Sequence, residues 1–236
     1  MKRLSPFLLL LLVACQTESS GPAAEAAAAR LGAATWPGLG YQPNIVWLVT
    51  EDLSPNVLPM YGDSTIETPA LSRLAEEGIV FERVFSPSGV CAPSRAAIAT
   101  GMYPTHIGAM HMRTINGYPP TNTPPYEAQP GPEVRMHSEL MRRLGYYCSN
   151  NRKEDYQFRR GLMAWDESSG EAHWRKRQPG QPFFAIFNYT VTHESRIWAK
   201  AEDSLWVEED LPVPVPPYLP DNEVGQRDVR RMYSNI

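Results

Sequence analysis

The sequence predicts an α/β fold, a mostly parallel sheet flanked by helices, on three observations. Two apolar runs without alternation, at residues 44–50 and 183–189, suit strands covered on both faces. Helical segments with stop signals lie between them, at 68–78, 91–101 and 137–145. Twenty-three prolines among 236 residues exclude a helical bundle and call for long ordered loops. A composition of 42% hydrophobic and 20% charged residues is that of a globular chain. The formal charge of -4 offers no basic stripe, which argues against nucleic acid as a partner. Three cysteines do not make a disulfide framework.

Residues 1–14 read as a signal peptide, with Lys2 and Arg3 ahead of an apolar block at 7–14. The block is shorter than the roughly 20 residues that span a bilayer. It ends Leu12-Val13-Ala14-Cys15, which resembles a bacterial lipoprotein cleavage box. That resemblance makes Cys15 the site of lipid attachment and the membrane a partner through acyl chains. The expected location is the bacterial cell envelope, as a periplasmic or outer-membrane lipoprotein. Residues 15–40 join the anchor to the body as a flexible, alanine-rich tether without an apolar stripe.

The body is expected over 41–236. The run at 44–50 is the first strand and ends in Glu51-Asp52. Thr68-Pro69 reads as N-cap and first helical position, with Leu71, Leu74 and Ala75 as the inner stripe and Gly78 as the stop. Residues 79–85 read as a second strand, completing a βαβ unit. A helix at 137–144, a short strand at 146–149, the strand at 183–189 and a helix at 222–236 follow. Ligands are expected at the carboxyl ends of the strands.

The most informative stretch is Cys91-Ala92-Pro93-Ser94-Arg95-Ala96-Ala97-Ile98-Ala99-Thr100-Gly101. Pro93 suits a first helical turn, which puts Cys91 at a helix N-terminus, where the dipole lowers a thiol's pKa. From the residues alone, Cys91 is either a nucleophile in an anion pocket or a buried filler thiol. Glu51 and Asp52, side by side at a strand end, would repel without a cation, and oxygen-only ligands suit Ca²⁺ or Mg²⁺. A Cys91–Cys148 disulfide is the competing fate of the thiol, although Cys148 reads as a buried strand residue.

Cys-x-Pro-Ser-Arg before a small-residue helix and Thr-Gly resembles the signature of type I sulfatases, of the alkaline-phosphatase-like superfamily. Pro43-Asn44-Ile45-Val46, Thr68-Pro69-Ala70-Leu71, Pro182-Phe183-Phe184 and Thr192-His193-Glu194-Ser195 extend the resemblance over about residues 41–236. It implies that Cys91 becomes formylglycine through a formylglycine-generating system. The hydrated aldehyde offers one hydroxyl to attack sulfur and a second to release sulfate. It also implies that Arg95 fixes the diol and that Lys153 binds sulfate. In the same way His193 protonates the leaving group or holds sulfate. Calcium, with Mg²⁺ as the alternative, would be held by Glu51, Asp52 and the group at Cys91, Glu51 standing where the family usually has aspartate. Asp155 stands where many members have histidine. His111 and His173, with His106, Arg113, Trp174 and Arg175, are further substrate-binding candidates.

The implied function is hydrolysis of a sulfate ester, most directly on a sulfated carbohydrate. A phosphonate or phosphate ester hydrolase of the same superfamily and a non-catalytic glycan-binding surface lipoprotein are the alternatives. Family members are longer, and no further metal pair follows His193, so the chain reads as a truncated N-terminal part with little activity alone.

Overall fold

The computed structural model describes residues 41–114 and 124–236. The signal peptide, Cys15 and the tether lie outside the described residues. Four strands form one parallel sheet: β1 (Ile45–Thr50), β2 (Tyr147–Asn151), β3 (Glu167–Ser169) and β4 (Phe183–Tyr189). Their order is β1-β4-β2-β3, so β4 crosses back over β2 to lie between it and β1. Among the described residues five α-helices accompany them: α1 (Pro69–Glu77), α2 (Cys91–Thr100), α3 (His137–Arg143), α4 (Ser195–Ala199) and α5 (Glu223–Tyr233). The expected α/β class with a mostly parallel sheet is what the chain adopts.

The two-residue period of β4 sorts its side chains. Phe184 and Ile186 join Tyr146, Cys148, Trp165 and Ala99 in the main core, under α2 and α3. Phe183 and Phe187 face the other way, onto Trp174, whose ring stacks on Phe183 at 5.0 Å and 9°. In β1, Ile45 and Val49 pack on the main core and Trp47 meets Phe184 edge-on at 5.0 Å. The next position on that side of β1 is Glu51, so the pleat itself carries this carboxylate toward α2.

Three expectations need correction. The run at 44–50 was to be covered on both faces, but β1 is the edge strand, with Val46 44% and Leu48 54% exposed. Apolar composition does not distinguish an edge from a centre. Residues 79–85 form no strand: they pair with nothing in the sheet, and Phe85 is 87% exposed. Propensity without a ladder partner leaves extended chain, so the βαβ unit is absent here. The stripe on α1 is only half covered, since Leu71 and Ala75 are partly buried while Leu74 is exposed.

Other signals hold. Thr68 is the N-cap position of α1 and Pro69 its first residue. Gly101 and Gly145 take the left-handed conformation that stops α2 and follows α3. Gly78 ends α1 for a different reason: an added Cβ would lie 2.8 Å from the Leu74 carbonyl oxygen. β3 and α4 carry no sequence signal of their own. Glu167-Ser168-Ser169 has no apolar residue and is a strand because it pairs with Ser149, Asn150 and Asn151.

Candidate active site

The site forms where β1, β4 and β2 end, beneath the first turn of α2. Cys91 is the first residue of α2 and is partly buried, and its Sγ approaches the Met112 Sδ at 3.7 Å. The expected low thiol pKa is not what this position produces. Burial pushes the Cys91 thiol up, and the Asp155 carboxylate, accepting its hydrogen bond and repelling a thiolate, pushes it further. Lys153 and the Ala92 amide oppose this less strongly. The helix end is outweighed by burial, to which the nearby anion adds. Cys91 and Cys148 are both free, and Cys148 lies in the main core, so the structure excludes the disulfide between them.

Glu51 is 6% exposed and is held by two cations. Its Oε1 accepts from Lys153 Nζ at 2.7 Å and its Oε2 lies 3.6 Å from the Arg95 guanidinium. Lys153 also reaches Asp155 at 3.4 Å, and Asp155 accepts from Arg113. The result is an alternating chain of charge, Arg95–Glu51–Lys153–Asp155–Arg113, which ends beside Cys91.

Asn188, at the carboxyl end of β4, organises the chain from below and was missed in the sequence reading. Its Oδ1 accepts from Arg95 at 2.6 Å. Its Nδ2 donates to Asn150 Oδ1 at 3.1 Å and the Asn151 carbonyl at 2.7 Å, with the Lys153 carbonyl at 3.2 Å. A signal existed: Phe184, Ile186 and Asn188 share one face, and a polar residue on the core face at a strand's carboxyl end marks a site.

Asp52 parts from Glu51 through a left-handed backbone, φ 51°. Its Oδ2 accepts from the Glu194 amide at 3.0 Å and lies 3.9 Å from His193 Nε2. The Ser195 amide donates to His193 Nδ1 at 3.2 Å, so the neutral ring carries its proton on Nε2, toward Asp52. Arg152, Asp155 and Gln157 are also left-handed, each at a cost of about 1 kcal/mol or more. Among the described residues other than glycine, left-handed backbone is thus confined to the loops after β1 and β2, around the site.

Among the sequence candidates, Cys91, Arg95, Glu51, Lys153 and Asp155 converge, and Asp52 and His193 form an adjacent pair. The His111 ring is tilted 35° against Tyr126, centroids 4.9 Å apart, beside this group. His173 lies apart, 3.9 Å from Trp174 and 5.6 Å from Phe187 on the opposite side of β4. The arrangement does not fit a divalent ion held jointly by Glu51, Asp52 and Cys91. Both Glu51 oxygens are engaged by cations, and Asp52 turns toward Glu194 and His193. Asp52, His193 and Glu194 do bring three ligand atoms within 4.8 Å of one another, a mixed and exposed set unlike an all-oxygen calcium site.

Behind the site, His137 donates from Nδ1 to the Ala99 carbonyl at 3.0 Å, tying α3 to α2. Trp47, Trp165 and Phe184 surround the ring, and Nε2 has no partner. Burial pushes its pKa below the ordinary 6.5. The folded state then binds this proton more weakly than the unfolded chain does. Stability is full above 6.5, falls as pH drops through 6.5, and stops falling below the folded pKa. We expect His137→Gln to flatten the pH slope of urea-unfolding stability between about pH 7 and pH 5; an unchanged slope would refute this.

A parallel sheet whose carboxyl edge presents a helix-borne cysteine within a lysine–arginine–carboxylate cluster defines an α/β protein with a site suited to an anion. The sulfatase family model matches residues 43–156. An ulvan-active sulfatase from Formosa agariphila is 46% identical, across 83% of this chain and 38% of that protein. The N-acetylgalactosamine-6-sulfatase of Rattus norvegicus is 36% identical across 46% of this chain and 21% of that protein. A protein solved with its substrate D-glucosamine-2-N,6-O-disulfate superposes with a TM-score of 0.52 at 18% identity. That match covers 72% of this chain and 40% of the solved one, and shows the shared fold. The chain belongs to the sulfatase family. It spans about two fifths of the length of the ulvan-active relative and about a fifth of the rat enzyme.

Proposed function

We propose that this chain carries the reacting centre of a formylglycine-dependent sulfatase that cleaves sulfate esters of a sulfated carbohydrate. The observation that carries the reading is the convergence of Lys153, Arg113 and Asp155 on Cys91, at the first turn of α2. The ulvan-active relative supports the carbohydrate substrate, and a protein of the same fold has been solved with a disulfated glucosamine as its substrate.

A hydrated formylglycine at position 91 would supply both the attacking oxygen and the means of releasing sulfate. Lys153 and Arg113 place positive charge where a sulfate's oxygens gain charge during transfer. Asp155, already a hydrogen-bond acceptor from position 91, is the group placed to take a proton there. His193 presents Nε2–H at the cleft wall, where it can donate a hydrogen bond to a leaving oxygen. Arg95 works indirectly, fixed between Glu51 and Asn188. Burial and the Asp155 carboxylate push the Cys91 thiol up, so an unconverted thiol would be a weak nucleophile near neutral pH. Calcium is implied by resemblance; since both Glu51 oxygens are engaged by cations, no step is routed through a metal. The envelope location through Cys15 belongs to the same proposal, and labelling with radioactive palmitate tests it.

The test joins mass spectrometry to turnover. After co-expression with a formylglycine-generating system, the peptide containing residue 91 is expected to lose sulfur and gain a carbonyl. Sulfate release from an aryl sulfate or a sulfated oligosaccharide should then depend on conversion and fall to background in Cys91→Ser. A persistent thiol with undiminished turnover would overturn the reading.

A further inference from the structure

A cleft of about 990 Å³ opens from the site between the loop after β2 and α4. That volume is at the upper end of the range for small-molecule sites, about 300–1,000 Å³, and exceeds what one sulfated sugar needs. Its walls are strongly cationic, and most of that charge is already answered. Arg113 and Lys153 hold Asp155, Arg160 holds Glu154 at 2.7 Å, and Arg159 faces Glu127 at 3.8 Å. Two guanidiniums are not matched in this way. Among the described residues, Arg152 has no side-chain hydrogen bond or ion pair, and Arg196 has only a 3.5 Å contact from Nε to the Thr190 carbonyl. Both also line a second cleft of about 460 Å³, which Lys200 borders. They therefore stand where the two clefts meet, one step beyond Lys153 and His193.

The backbone agrees with this placement. Arg152 is left-handed at φ 76°, a conformation an arginine adopts only at a cost, and the bond from its amide to the Ser169 carbonyl at 2.9 Å holds it there. A guanidinium with free donors is suited to bidentate recognition of a carboxylate or a sulfate. We propose that Arg152 and Arg196 form a subsite for a second anionic group, a carboxylate or sulfate ester on the sugar next to the one being desulfated. The proposal rests on the sulfatase reading, since it takes the Lys153 end of the cleft as the place of the first sulfate. It makes the preferred substrate a polyanionic saccharide and disfavours isolated monosulfated sugars.

Titration calorimetry on this chain at low salt tests it with three probes: galactose 6-sulfate, a disaccharide with one sulfate and one uronate, and a disulfated disaccharide. The wild type is expected to bind at least one two-anion probe about tenfold or more tighter than galactose 6-sulfate. Which of the two gains identifies the second anion as carboxylate or sulfate. Arg152→Gln/Arg196→Gln should erase the gain and leave galactose 6-sulfate binding unchanged, while Arg152→Lys/Arg196→Lys should retain part of it. Lys153→Met should weaken all three probes equally. Thermal melting of each variant confirms that it folds. Equal affinity for all three probes, or a gain that survives both glutamines, overturns the subsite. Should Lys153→Met spare galactose 6-sulfate, the assignment of the first sulfate falls while the gain still reports on the arginines. Binding of no probe overturns both.

Discussion

Glu51→Gln is expected to lower folding stability by about 3 kcal/mol. The carboxylate is 6% exposed, and the side chains of its two partners, Lys153 and Arg95, are 16% and 12% exposed. Neutralising it leaves two mostly buried cations facing a neutral amide, and an uncompensated buried charge costs more than the pair contributes. Lys153 retains Asp155 at 3.4 Å and Arg95 retains Asn188, which keeps the loss below complete unfolding. Because the cost lies in the stranded cations, Glu51→Gln combined with Lys153→Met should recover part of it. Urea unfolding of the two single variants and the double variant measures this as a cycle. Strict additivity, with no recovery, would show that the charges are not coupled as described.

Asn188→Leu is expected to cost a similar amount, about 3 kcal/mol, without removing any charge. The amide links Arg95 to the strand below and ties the loop after β2 to the end of β4 through the Asn151 and Lys153 carbonyls. Leucine keeps the branched outline but is larger, so no cavity is left and the loss reflects unpaired groups in a buried place, with some crowding added. The loop carrying Lys153 and Asp155 should loosen at the same time, seen as faster amide exchange at residues 151–155. A change below about 1 kcal/mol would show that the network is solvated rather than buried.

The sheet was legible where local pattern and tertiary role coincide. The apolar run Phe183–Tyr189 is a strand because its inner and outer faces both find partners, Trp165 on one side and Trp174 on the other. The equally apolar residues 79–85 were misread because nothing local reveals whether a strand will find a neighbour. Glu167–Ser169 was invisible for the converse reason: its pairing with β2 overrides a composition that favours a turn. At the site, residue type and position singled out Cys91 and Glu51, and the family resemblance added Arg95 and Lys153. Sequence order, however, said nothing of which cation would face which carboxylate. That choice depends on the pleat of β1 and the left-handed turn at Asp52, and both are properties of three-dimensional packing.

Thiols react with peroxide and with alkylating reagents chiefly as the ionised species. In the folded chain an unmodified sulfur at position 91, partly buried and set against the Asp155 carboxylate, is therefore expected to be capped by iodoacetamide more slowly than an exposed thiol at neutral pH.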